Sequence, residues 1–205
     1  MLGRLLNQDY DGDEQLFSDD DRNTVHIVDN RLYSTKVLRV NYTTYDVRRG
    51  QDSFNPRTQH CDVIVNSCED DPDAHPYWYA RIIGIFHLRV LHTGLAATTS
   101  SELVQDMQFL WVRWFGIDPS YRSGLKVGRL PKIGFVPEND DQAFGFLDPA
   151  LVVRGCHLIP AFADGRTVEL LRTGVTAARP IDEADDWTAF YVNMYVVIRF
   201  GRFNY

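Results

Sequence analysis

Large apolar and polar residues alternate over residues 75–86 (His-Pro-Tyr-Trp-Tyr-Ala-Arg-Ile-Ile-Gly-Ile-Phe) and again over 109–115 (Phe-Leu-Trp-Val-Arg-Trp-Phe). A period of two sends successive side chains to opposite faces of a strand. Both segments therefore read as half-buried strands, carrying Trp78, Tyr79, Trp111 and Trp114. The first pattern continues to residue 91, long enough for one bent strand or for two joined near Gly84, where a glycine hints at a bulge.

Shorter β-branched and aromatic runs at 25–28, 36–47 and 62–65 predict further strands. The polar stretches 48–56 and 66–76 read as the loops between them. Residues 94–107 form a polar connector with one helical turn expected around 102–106, and prolines and glycines punctuate 118–138 too often for a regular element. That segment reads as a surface excursion. Asp148-Pro149 has the form of a helix cap followed by proline at the first helical position, predicting a single turn before a strand over 155–162. The apolar end, 186–200, fits either a helix and a strand or one long strand. Strand segments outnumber helical ones, so the expected fold is mainly β, with helices limited to short pieces near Glu102, Ala150 and Trp187.

Composition narrows the organisation. A chain of 205 residues, 44% of them hydrophobic, can bury one good core and at most two small ones. The economical reading is an acidic N-terminal tail over residues 1–23 and a single β domain over 24–205. The tail carries Asp9, Asp11, Asp13, Glu14, Asp19, Asp20 and Asp21 and offers little apolar surface. Its Asp9-x-Asp11-x-Asp13 spacing fails as a calcium loop, because Glu14 stands where glycine is needed and Asp20 where the bidentate glutamate belongs.

The net charge of -7 argues against a surface built mainly to neutralise phosphates and suits a basic protein partner. Arg48, Arg49, Arg57, Arg81, Arg89 and Arg113 are scattered over different faces by strand alternation. Cys61, Cys68 and Cys156 form no Cys-x-x-Cys pair, and no long apolar segment accompanies them, which predicts a reducing compartment and no membrane span. His60 and Cys61 point to opposite faces if extended, and His75, His87, His92 and His157 share no metal-ligand spacing. The paired acids Asp70-Asp71, Asp140-Asp141 and Asp185-Asp186 fall in turn-rich stretches and read as solvated surface. No catalytic constellation, cofactor site or metal site is expected.

The two aromatic strands, followed by Asp148-Pro-Ala-Leu-Val-Val-Arg-Gly-Cys-His-Leu-Ile-Pro160, resemble a bromo-adjacent homology (BAH) domain. In that family an aromatic-Val-Ala-Arg-Ile strand precedes a Val-x-Trp-Phe/Tyr strand and a late Gly-Lys-Cys-x-Val run. The resemblance covers residues 77–162 and implies a BAH-like, partly open β-barrel with extra flanking strands from 24–65 and 186–200 and short helices. A second set of segments is similar to the C-terminal region of Plavaka-type transposon proteins of mushroom-forming fungi. It comprises residues 41–49, 52–58, 77–81, 109–115 and 143–149. This likeness implies a terminal domain, or a short relative, of a larger mobile-element protein, acting in the nucleus.

The BAH resemblance also implies a site. Its histone-reading members hold methyl-lysine between aromatic rings, because a poorly hydrated quaternary ammonium is attracted to ring faces. By motif match the ring positions here are Trp78 and Trp114, with Tyr77, Tyr79 and Phe115 as neighbours. Gly116 stands where several relatives carry another ring. The competing reading makes these aromatics core, since one of each neighbouring pair on a strand faces inward. The function implied is non-catalytic recognition of chromatin, through a histone tail or another basic nucleosome-associated protein, with DNA contact secondary. The alternative is an accessory DNA-binding or assembly domain of a transposase.

Overall fold

The computed structural model describes residues 18–43, 49–69, 74–93, 104–124, 127–179 and 183–193. Strands take 50% of them and helix 9%, so the fold is mainly β as the alternation predicts. The strands are β1 (Val25–Ile27), β2 (Tyr33–Thr35), β3 (Leu38–Thr43), β4 (Arg49–Phe54), β5 (Asp62–Asn66), β6 (Tyr77–His92) and β7 (Gln105–Ile117). They continue with β8 (Lys132–Phe135), β9 (Phe144–Leu147), β10 (Val152–Gly155), β11 (Leu158–Pro160), β12 (Arg166–Thr167), β13 (Asp186–Trp187) and β14 (Phe190–Val192). The chain divides into two compact units, Met1–Thr35 with Phe86–Phe109, and Lys36–Ile85 with Leu110–Tyr205.

In the smaller unit β1 runs antiparallel to the end of β6, with Val25 opposite His92 and Ile27 opposite Val90. Leu88, Val90 and Phe109 form its apolar centre, supported by Val25, Phe86 and Met107. Tyr33 stacks on His87 at 5.1 Å, and Arg89 pairs with Asp29 at 2.8 Å.

In the larger unit a curled, half-barrel sheet runs in the order β10-β5-β6-β7-β8-β14-β11, with β9 also paired to β7. The β5–β6, β7–β9 and β7–β8 pairs are antiparallel, placing Val65 opposite Trp78, Leu110 opposite Leu147 and Phe115 opposite Phe135. Both faces of this sheet are buried. One carries Val63, Val65, Ala80, Ile82, Leu110, Val112 and Leu147, and the other Ile64, Tyr79, Phe115, Ile133, Phe135, Phe190 and Val192. Two-sided burial explains why β5 contains an unbroken Val-Ile-Val run instead of an apolar-polar alternation.

Several local expectations need correction. Residues 48–56, read as a loop, contain β4, which pairs with β3 as a two-stranded ribbon from Leu38 opposite Phe54 to Thr43 opposite Arg49. Its inner face holds Gly50, Asp52 and Phe54, while its outer face is polar, so an apolar signal is missing. Gly50 makes room for the Tyr42 ring, since a Cβ would come within 2.5 Å of it and force the ring to shift. The segment 118–138, read as a surface excursion, supplies β8, with Ile133 and Phe135 buried. Its Gly134 is a close-packing residue, because a Cβ would lie 3.0 Å from the Thr188 carbonyl.

Asp186–Trp187 is a strand, so no helix forms there, and β14 follows after a turn; residues 194–200 of that predicted element lie outside the described residues. The helical turn expected around 102–106 falls partly outside them too, and Gln105 and Asp106 already belong to β7. Residues 1–17 of the acidic tail are likewise outside, while Asp19–Asn23 forms one helical turn. At Pro149–Leu151 a 3-10 turn forms, with the Asp148 carboxylate accepting from the Ala150 N–H at 2.9 Å.

Candidate functional site

Alternation along β6 and β7 sorts the five aromatic candidates into two sets. Trp78 shares a face with Ala80 and Ile82, and Trp114 shares one with Leu110 and Val112; both strands turn these residues to the first cluster of the larger unit. Tyr77, Tyr79 and Phe115 belong to the second cluster, on the opposite face. The two tryptophans therefore meet and the other three do not join them.

Trp78 and Trp114 contact edge to face, with ring centroids 6.1 Å apart and planes at 80°. Trp78 is 37% exposed. Its indole N–H donates to the Glu69 carboxylate at 3.3 Å. Trp114 is half-buried against the first cluster, and its indole nitrogen lies over Gly145 of β9, where a Cβ would come within 2.8 Å. Gly145 is thus the residue that lets the Trp114 ring lie across the neighbouring strand. At Gly116 a Cβ would meet only a Val136 methyl at 3.9 Å, so space exists at the position that lacks a ring.

The remaining candidates are packing residues. Tyr79 is fully buried and its hydroxyl is bonded to His75 Nε2 at 2.8 Å. Burial raises the Tyr79 pKa, so the phenol stays neutral. Phe115 is buried, stacked on Phe135 at 4.2 Å and edge-on to Phe190. Tyr77 is half-buried beside His75, their rings edge to face at 6.2 Å. The buried rings of Tyr79 and Phe115 offer no face to a ligand and Tyr77 lies on the opposite face from the tryptophans, which leaves Trp78 as the exposed member with Trp114 behind it.

The second cluster also contains charge that the sequence pattern does not announce. Arg81 makes a two-pronged pair with Asp62 at 2.7 and 2.9 Å. Arg113, with no exposed surface, makes another with Asp186 at 3.1 and 3.0 Å, and Arg179 shares the same carboxylate at 3.0 Å. Arg113 lies over the Phe135 ring at 3.7 Å, with Arg81 at 5.0 Å from the same ring. Asp186, read from sequence as solvated surface, is only 4% exposed. Burial alone would raise its pKa, but hydrogen bonds and charge from Arg113 and Arg179 outweigh that and hold it below the ordinary carboxylate value.

Other chemistry is sparse. Burial pushes the Cys61 thiol up to about 12 and the Cys156 thiol well above its usual value, so both are protonated at neutral pH. Among the described residues no three His, Cys, Asp or Glu side chains gather as a metal site, and no helix is long and apolar enough to cross a membrane. The class defined by these features is a mainly β protein with a curled sheet and an exposed, acid-flanked tryptophan braced by a half-buried one. No family model, curated protein or solved structure matches the chain.

Proposed function

We propose that this chain is a non-catalytic recognition module whose Trp78 face binds a basic peptide. The BAH and Plavaka resemblances supply the biological setting: a histone tail or another basic chromatin protein, read in the nucleus by a transposon-derived protein. The observation that carries the reading is the exposed Trp78 ring, braced by Trp114 and flanked by the Glu69 carboxylate. A lysine or methyl-lysine ammonium is attracted to an indole face, and a neighbouring carboxylate adds charge attraction on the same side. The chain's net charge of -7 favours encounter with a basic partner.

The test is a titration of unmodified and methylated histone-tail peptides followed by tryptophan fluorescence. Binding should be retained at physiological salt and abolished by Trp78→Ala, with the melting transition little changed. Peptide affinity that is absent, or indifferent to Trp78→Ala, overturns the proposal.

A further inference from the structure

We infer that the outer face of the β3–β4 ribbon is a contact surface for duplex DNA, of a shape that enters the major groove. The ribbon's cross-strand pairs are Arg39 with Ser53, Asn41 with Gln51, and Thr43 with Arg49. All six side chains are exposed, while their alternates Leu38, Val40, Tyr42, Asp52 and Phe54 turn inward. The inner face is anchored: Phe54 belongs to the first cluster, and Leu38 and Val40 pack against it. Beneath the ribbon the Arg154 guanidinium lies 3.8 Å from the Tyr42 ring centroid. A polar face is thus held on a rigid support.

Its charge is inverted relative to the chain. Exposed positions of residues 36–43 and 49–60 include Lys36, Arg39, Arg49, Arg57 and His60, and not one acid. The single carboxylate there, Asp52, faces inward, where it accepts from the Gly155 N–H at 3.0 Å and pairs with Arg154. Among the described residues Arg39, Arg49 and Arg57 have no ion-pair partner, unlike Arg81, Arg113 and Arg179. A basic face on which the described residues expose no acid, on a protein of charge -7, is a place where a polyanion can approach with little repulsion.

The polar groups match base edges as well as phosphates. Arginine can satisfy the two acceptors of guanine, and Asn or Gln can pair with the acceptor and donor of adenine in the major groove. Gln51 Nε2 donates to Asn41 Oδ1 at 2.7 Å, which leaves the Asn41 amide as a donor and the Gln51 carbonyl as an acceptor. That is the complement of adenine N7 and its amino group. A two-stranded ribbon fits the wide major groove of B-form DNA but not the deep, narrow one of an RNA helix. Duplex DNA is therefore the occupant, at a surface independent of the Trp78 reading.

The experiment uses the full chain and fluorescence-labelled duplexes of about 20 base pairs, titrated between roughly 50 and 200 mM salt. The expected result is binding that weakens steeply with salt. The Arg39→Ala/Arg49→Ala double variant should bind at least about tenfold more weakly with a salt slope reduced by about two, and should melt like the parent. Asn41→Ala/Gln51→Ala should leave the slope intact and erase any preference among duplexes selected from a randomised pool. No binding at the lowest salt, unchanged binding by the arginine variant, equal competition by duplex RNA, or preference for an acidic peptide each overturns the inference. Trp78→Ala should leave DNA binding intact, and a loss there also overturns it.

Discussion

Arginine does opposite work in two places in the larger unit. Beneath the sheet, Arg81, Arg113 and Arg179 are closed onto Asp62 and Asp186, with Arg81 over the rings of Phe115, Phe135 and Phe190 and Arg113 over Phe135. On and beside the ribbon, Arg39, Arg49 and Arg57 stand in solvent with no carboxylate partner among the described residues. Removing a guanidinium from water costs several kcal/mol, so the buried set exists only with its acids in place. The exposed set carries no such requirement, and its charge is available to a partner. Residue type alone says nothing about which role an arginine plays; the face on which alternation places it decides.

The largest effect expected from breaking this contrast is at Asp186. Asp186→Ala strands Arg113 and Arg179 together in a buried site and should cost about 3–5 kcal/mol in urea denaturation. A loss under about 1 kcal/mol would mean that water reaches the site and that the two arginine sets differ little. Next is the Trp114 position, where Trp114→Ala should destabilise by about 3 kcal/mol, the low end for truncating a tryptophan. Trp78→Ala, at the exposed ring, should cost clearly less, and equal costs would show that the pair is core throughout.

A smaller effect is the acid limb of stability. Because the folded Asp186 pKa is depressed, its contribution is fully present above the unfolded carboxylate value of 3.8 and is lost as pH falls through the lower folded value. Denaturation midpoints should accordingly be insensitive to this group from neutrality to about pH 5 and fall below about pH 4. Asp186→Asn should flatten that fall; an unaltered acid limb in this variant would assign it to other carboxylates. The smallest effect is on the ribbon, where Arg39→Ala and Arg49→Ala should each shift stability by no more than about 0.5 kcal/mol. A larger loss by calorimetry would make the outer face a structural element.

The regions that sequence reading captured are those in which one local pattern suffices. β5, β6 and β7 announce themselves through β-branched residues and period two, and the same periodicity places Trp78 apart from Tyr79. Period two alone does not reveal that the Trp78 and Trp114 faces coincide, because that depends on how β6 and β7 lie beside each other. β4 was concealed by its own polar outer residues and by Gly50, whose reason is the Tyr42 ring across the ribbon. β8 was concealed by the prolines and glycines around it. Asp186 looks like one more acid in a turn until Arg113, 73 residues away, is brought beside it. Glu69 carries no local signal at all; only the Trp78 indole bond marks it.

The shared carboxylate of Asp186 also orders events in time. Arg179 is 7 residues from it and can find it as soon as that stretch of chain bends, whereas Arg113 is 73 residues away and must wait for a long loop to close. Asp62 and Arg81, 19 residues apart across β5 and β6, need far less chain to meet. A folding molecule would thus secure the β5–β6 hairpin early and seat Arg113 on Asp186 late, since non-local contacts are slow to form. Until that moment Arg113 must remain hydrated, so the second apolar cluster cannot dry out before strand β13 arrives.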